Sequence, residues 1–424
     1  MLGVFSLPEP VTFRPGFLWG SATAGHQIEG GNIHSHKYRM ELDGKFPECS
    51  GKACNFRELY RQDIDLLAEL GHQAFRLSLE WPRIEPAPGV HDEAEMKWYL
   101  QVLELLKEKK IRICVTLMHL SHPQWFEEMG EFHRRENVDY FLRHLEYLVP
   151  QVAPYADSWI VLNEFNGSED PLCVERKVNC LVAHARAAEL IRNYSNAPVS
   201  TAHALVDWQP ENPEGFFDRG RADLRDWVGN RFFFHAVRTG IVLSPHRDAE
   251  EIPGLRGSCD FWALNYYTRH FVSARKFQGT VPRPACCRIR MIDEPFYLEE
   301  FYPEGLIRQL ERLHDLPVQI TENGVACDDD RFRILYLARH LQALQEAEKR
   351  GARIDAYYHW SFLDNFEWGS FRPRFGLVHV DFKTFRRTPK PSAAFYREVI
   401  EQNGFDLELL RKYLPEFKDW KIYS

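Results

Sequence analysis

No stretch of the 424-residue chain is long and apolar enough to span a bilayer. The opening segment MLGVFSLPEP lacks basic residues, and Pro8 and Pro10 break its apolar run. It does not read as a cleaved secretory signal, and the cytoplasm is the expected location. No stripe of Lys and Arg is interleaved with aromatics, and the formal net charge is -8, which offers no field to gather phosphate backbones. Nucleic acid and membrane are therefore not expected partners. The nine cysteines follow no disulfide or metal-ligand spacing. Cys49 and Cys54 flank a short Gly/Lys segment that resembles half of a zinc site, but no second pair with ligand spacing accompanies them. They read as plain thiols, and Cys286 and Cys287 are expected in a loop. Repeats, low-complexity tracts and Pro/Gly/Ser linkers are also missing, so residues 1–424 read as one domain. Oligomeric state leaves no mark on the sequence.

What is present is the balance of a globular protein with a sizeable core, 44% hydrophobic and 27% charged. Aromatics make up 14%, more than a core usually needs, and their faces suit stacking against a flat apolar ligand surface such as that of a sugar ring. Short runs rich in Val, Ile, Thr and aromatics predict strands at Phe17–Gly25, Ala74–Trp81, Arg112–His119, Ser158–Phe165, Val199–Leu205, Asp260–Tyr267, Pro317–Gly324 and Ala356–Phe362. Several are apolar almost throughout, as in parallel strands buried on both faces. Stretches with helical spacing of apolar residues, including Phe56–Leu70, Asp92–Lys109, Arg176–Arg192 and Arg331–Lys349, lie between them. Eight strand–helix units predict an α/β fold, a closed (β/α)₈ barrel.

Hydrogen-bonding residues gather at the carboxyl ends of these strands: Gln27 and Glu29 after the first, Arg76 in the second and His119 at the end of the third. Asn163 and Glu164 end the fourth, Asn265 and Tyr267 the sixth, Glu322 and Asn323 the seventh, and Trp360 lies in the eighth. In such a barrel those ends converge on the face that carries the active site. Singly, a strand-end Glu reads as a solvated residue or a turn cap, His119 as a structural histidine, Trp360 and Trp368 as core aromatics, and Glu367 as a surface acid. Two strand-end glutamates on one face point instead to glycoside hydrolysis, which needs a carboxyl pair about the scissile bond. The expectation is that Arg76 close to Glu322 keeps it anionic while a more shielded Glu164 stays protonated.

The chain resembles glycoside hydrolase family 1, the β-glucosidase and β-galactosidase group, across almost its whole length. The resemblance rests on FLWGSATAGHQIEG (17–30), FRLSLEWPRI (75–84), WIVLNEFN (159–166), NYY (265–267), ITENG (320–324), WSFLDNFEW (360–368) and RFGLVHVDF (374–382), in family order. It implies a retaining, exo-acting β-glycosidase without metal or organic cofactor, whose partner is a small β-glycoside or oligosaccharide. Glu164 takes the place of the acid/base and Glu322 that of the nucleophile. Gln27, His119, Asn163, Glu367 and Trp368 correspond to hydrogen-bonding partners of the glycone, Trp360 to the floor under the sugar, and Arg76 and Tyr267 to groups that orient the nucleophile, Tyr267 also touching the substrate.

Two departures stand out. Leu120 follows His119 where the family commonly has Trp, and Phe165 follows Glu164 where it has Pro. Proline would bias the preceding Glu toward an extended backbone, so its loss either relaxes the acid/base or is compensated by packing of Phe165. Arg372 and Arg374 near Trp368 raise a sugar-phosphate reading, against which stands Glu367, an acid that would repel a 6-phosphate. A silent sugar-binding protein and a transglycosidase are the competing functions; retention of both glutamates argues against the first.

Overall fold

The computed structural model describes residue 7 and residues 9–166, 174–245, 247–276 and 300–415. Cys286 and Cys287 lie outside the described residues. Eight parallel strands close on themselves: β1 (Leu18–Ala22), β2 (Ala74–Ser78), β3 (Arg112–Met118), β4 (Ser158–Asn163), β5 (Val199–Pro210), β6 (Trp262–Val272), β7 (Val318–Asn323) and β8 (Ile354–Trp360). Each pairs with its sequence neighbours, and β8 closes the ring on β1 from Ala356 opposite Leu18 to Trp360 opposite Ala22.

Period-two alternation sorts the side chains. Phe75, Leu77, Ile113, Val115, Leu117, Trp159, Val161, Trp262 and Leu264 belong to the large core that packs the strands against the helices. Ala74, Cys114, Ile160, Ala202, Ala263, Ala356 and Tyr358 form a second, smaller cluster. These are mainly small residues because side chains from several strands converge on one axis. Gly20 meets the same constraint: a Cβ there would stand 2.6 Å from the Ala74 carbonyl oxygen and 2.8 Å from a Tyr358 ring carbon. Further along the same strands the alternation delivers polar groups, Arg76 and Thr116 among them, so one periodicity builds both the apolar plug and the polar mouth above it.

The helices carry local signals for their ends. α1 (Phe56–Glu69) follows β1. α2 (Glu93–Glu108) opens on Asp92, whose carboxylate accepts from the amides of Ala94 and Glu95 at 2.9 and 3.1 Å. α3 (Val138–Val152), α4 (Val174–Arg192), α5 (Phe232–Thr239) and α6 (Pro303–Leu310) follow β3 to β6 in turn. α7 (Asp330–Lys349) is capped by Asp329, and α8 (Pro391–Gln402) begins on a proline and ends at Asn403 in the left-handed region, φ 52°. No helix among the described residues is long and apolar enough to cross a membrane.

The predicted strands overlap the eight observed and shift at their ends: the second stops at Ser78, before the short helix that Trp81 opens, and the eighth runs Ile354–Trp360 instead of Ala356–Phe362. β5 and β6 run on together past the barrel, pairing Asp207 with Arg269 and Pro210 with Val272. The first predicted strand stops at Ala22, and its remainder becomes a short helix, Gly25–Ile28. That turn of helix separates two residues expected in one mouth. Gln27 faces the site, whereas Glu29 turns onto Arg83 at 2.7 Å and Tyr99 at 3.0 Å, a buried cluster of its own.

Candidate active site

Arg76 organises the mouth. Its guanidinium is fully buried, and a buried cation is tolerable only when its N–H groups are satisfied. Nε donates to Thr116 Oγ1 (3.0 Å), one terminal nitrogen to the Thr321 carbonyl (3.2 Å) and Glu322 Oε1 (2.6 Å), and the other to Asn163 Oδ1 (2.5 Å). Four strands are thereby tied to one planar group. Tyr267 donates its hydroxyl to the second oxygen of Glu322 at 2.7 Å.

Asn265 links the two carboxylates. Thr321 donates to Asn265 Oδ1 at 2.7 Å, which turns the amide nitrogen toward Glu164 Oε1 (2.8 Å) and Asn163 Oδ1 (3.1 Å). The same amide supports Glu322. Glu164, at the end of β4, holds its strand by donating its amide to the Ala202 carbonyl at 2.8 Å. Its φ of 51° is left-handed, an uncommon conformation for glutamate of the kind that clusters where side-chain placement matters; Leu120 (φ 56°) and Trp368 (φ 43°) share it. Phe165 is buried against Phe233, ring centroids 5.7 Å apart, so packing rather than a proline ring fixes the chain after Glu164. The extended backbone that a following proline favours is not what Glu164 adopts.

The electrostatics of the pair are unequal. Burial pushes Glu164 up to about 7, helped by the charge of Glu322, with the Asn265 hydrogen bond opposing. Burial also raises Glu322, while Arg76, Tyr267 and Asn265 pull it back. The expectation that Arg76 would keep Glu322 anionic thus holds as a direction of influence, but desolvation outweighs it in the net shift. A cation and a hydroxyl sit on Glu322 and a neutral amide on Glu164, so the partners of the pair favour negative charge at Glu322 more than at Glu164.

Opposite this pair, Gln27 Nε2 donates to Glu367 Oε2 (3.1 Å), Asn365 Oδ1 (2.9 Å) and the Phe366 carbonyl (3.0 Å), and Trp360 Nε1 donates to Glu367 Oε1 (3.1 Å). His119 lies between Trp360 and Trp368, its ring within 20° of parallel to each. Burial, reinforced by the charge of Arg76, holds His119 well below the usual imidazole range. The neutral ring accepts from Asn163 Nδ2 at Nε2 (3.2 Å), which leaves its proton on Nδ1. That Nδ1 and Gln27 Oε1 are buried without a protein partner, one donor and one acceptor, a match for hydroxyl groups that do both. Every residue expected in the site except Glu29 and Asn323 belongs to this connected set; Asn323 turns outward, donating to the Tyr266 carbonyl at 2.6 Å and accepting from the Tyr357 hydroxyl at 2.9 Å. Thr116, Thr321 and Asn365 were not anticipated; Thr321 directly precedes Glu322 in the ITENG motif and could have been read from it.

A carboxyl pair with unequal partners in a barrel mouth lined for hydroxyls is the arrangement that glycoside hydrolysis requires. The profile of glycosyl hydrolase family 1 matches residues 9–405, and the chain belongs to that family. It is similar to β-glucosidase A of Acetivibrio thermocellus, 30% identical over 93% of this chain and 99% of the relative. It also resembles 6-phospho-β-galactosidase of Leptotrichia buccalis, 27% identical over 91% and 97%. Among solved structures, the β-glycosidase from Pyrococcus horikoshii superposes with a TM-score of 0.86, at 32% identity over 96% of this chain and 98% of that one. The family 1 β-glucosidase from Thermotoga maritima gives 0.84, at 27% identity over 94% and 99%.

Proposed function

We propose that the protein is an exo-acting, retaining β-glycosidase that hydrolyses terminal non-reducing β-D-glucosyl residues or the closely related galactosyl and fucosyl residues. The observation that carries this reading is the division of labour in the pair, Arg76 and Tyr267 on Glu322 against a single neutral amide on Glu164. Glu322 attacks the anomeric carbon as the glycosidic C–O bond breaks, and Glu164 gives its proton to the leaving oxygen. Glu164, now a carboxylate, takes a proton from water, which attacks the same carbon and releases Glu322. Two displacements on opposite faces return the original β configuration. Gln27, His119, Asn163, Glu367 and Trp368 hold the glycone hydroxyls over Trp360, and Tyr267 reaches both sugar and nucleophile.

A neutral glycone is favoured over a 6-phosphate. Arg372 pairs with Asp328 at 2.8 and 2.7 Å, and Arg374 stacks on Phe382 and bonds the Val380 carbonyl, so both arginines of the loop are engaged within the protein. Glu367, held by Gln27 and Trp360, places an acid in the glycone set. The test is a panel of aryl β-glycosides (glucoside, galactoside, fucoside, mannoside, glucuronide and 6-phosphoglucoside) given to the wild type and Glu164→Ala. The wild type is expected to cleave a neutral glycoside best. Glu164→Ala should lose most activity on poor leaving groups while still forming the glycosyl-enzyme from a dinitrophenyl glycoside, which needs no proton. Equal losses on both would remove Glu164 from the acid role, and a preference for the phosphorylated substrate would sink the neutral assignment.

The pH profile follows from the same groups. Glycosylation needs Glu164 protonated, so kcat/KM should fall about tenfold per pH unit once pH rises above about 7. It should fall again in acid as Glu322 takes a proton. In Glu322→Gln the charge that helps raise Glu164 is gone, and the Glu164 titration, followed by infrared difference spectroscopy, should move down. A titration that stays in place would show that Glu322 does not raise Glu164.

A further inference from the structure

Two groups of His and Glu side chains among the described residues bring potential ligand atoms within 4.8 Å of one another. In the first, His36, His122 and Glu127, the charge of Lys37 acts on both histidines and that of Arg176 on His122, a poor setting for another cation. The second, Glu85, His91 and His144, has no such opposition. Glu85 follows the short helix Trp81–Ile84, His91 stands just before the cap of α2, and His144 projects from α3.

We propose that Glu85, His91 and His144 bind a divalent transition metal of the zinc class, fastening the loop between β2 and α2 to helix α3. His144 is fully buried, and neither ring nitrogen has a hydrogen-bond partner; His91 Nε2 is buried and lacks one as well. Buried imidazole nitrogens are normally satisfied, so two imidazoles and a carboxylate that each offer one ligand atom within 4.8 Å of the others, with buried ring nitrogens left partnerless, mark a place built for another ligand. His144 Nδ1 lies 3.2 Å from Glu85 Oε2; burial raises the Glu85 carboxyl, and this contact draws it down. Two ligands about 2.0–2.1 Å from a tetrahedral zinc ion stand roughly 3.3 Å apart, close to that spacing.

The surroundings are those of metal ligands. Gly89 N donates to Glu85 Oε1 at 2.7 Å and Trp81 Nε1 to Oε2 at 2.8 Å, fixing the carboxylate from outside. Trp81 stacks on His144, centroids 5.1 Å apart, and Tyr147 on His91 at 3.8 Å, so both rings are held in place. Among the described residues no Lys or Arg is paired with Glu85. Two imidazoles and one carboxylate suit zinc or its neighbours rather than calcium or magnesium, and three protein ligands leave a fourth position for water. His91, half-buried in the loop, is the side by which the ion enters. Glu164 and Glu322 play no part in this site, so it stands or falls independently of the glycosidase assignment.

Zinc chloride titrated calorimetrically into chelator-treated full-length protein is expected to bind with one-to-one stoichiometry and to raise the melting temperature. Cobalt(II) in its place should show the intense visible bands of a tetrahedral centre. His91→Gln, a change in a half-buried loop residue, should weaken zinc by more than the 10- to 100-fold that loss of an outer-shell partner costs. It should abolish the thermal shift while leaving aryl glycoside hydrolysis unchanged. Glu85→Gln should weaken zinc similarly, which guards against a folding artefact in either variant. Absence of stoichiometric binding by the wild type, or equal binding by His91→Gln, would overturn the proposal.

Discussion

Glu322→Ala is expected to reduce turnover of an aryl β-glycoside by on the order of 10⁶-fold, the scale on which a covalent nucleophile is lost. Azide or formate should restore part of that rate. The substitution leaves the Arg76 guanidinium, which donates to Glu322 at 2.6 Å, and the Tyr267 hydroxyl, which donates at 2.7 Å, facing space the size of a carboxylate. A small anion held there attacks the anomeric carbon from the face Glu322 used. No second displacement follows, so the rescued product is the α-glycosyl azide, identified by the proton coupling at its anomeric carbon. Near wild-type activity in the variant, or a β-configured rescue product, would remove Glu322 from the nucleophile's role.

The second large effect is on the fold and the reaction together. Arg76→Met strips one fully buried cation from Thr116, Asn163, Thr321 and Glu322 and leaves a buried carboxylate without its counter-charge. Breaking a buried ion pair from one side typically costs about 3–5 kcal/mol. Urea unfolding should show a loss of that size at unchanged slope, and hydrolysis should fall even in the folded fraction because Glu322 protonates more readily. Arg76→Lys keeps a charge but cannot reach four acceptors on three strands with one ammonium, so it should recover only part of either quantity. A loss below about 1 kcal/mol in Arg76→Met, the range of an exposed pair, would show that the hub is not what holds these strands together.

Why the barrel was readable is visible in β2 and β3. Ala74, Phe75, Arg76 and Leu77, like Ile113 to Leu117, leave too little polar surface for an edge strand, and buried parallel strands demand such runs. The extension of β5 and β6 escaped because its residues, among them Asp207, Trp208, Arg269 and His270, mix polar and aromatic groups without an apolar run. Composition there looks like loop, and only pairing across the two strands reveals the ladder. The fate of Glu29 was equally hidden: two positions after Gln27, it would point the same way in a strand but turns away on a helical turn. For the site, strand ends and motifs located the chemistry. The contacts of Asn265 with both carboxylates, and of Thr321 behind it, depend on amide orientation, which spacing along the chain does not encode.

The glycone set has a further consequence for how this protein comes to be active. Gln27 and Glu367, bonded to each other, are 340 residues apart, and Arg76 and Glu322 are 246 apart. No contiguous fragment holds a working portion of the mouth. A nascent chain that has not yet reached residue 367 already carries both glutamates, but the partners of Gln27 are still unmade. Because such distant contacts are the slowest to form, hydrolytic activity should return last in a refolding experiment, after helical circular dichroism and after tryptophan burial. Substrate turnover is therefore a clock for ring closure, reading out the moment at which β8 meets β1.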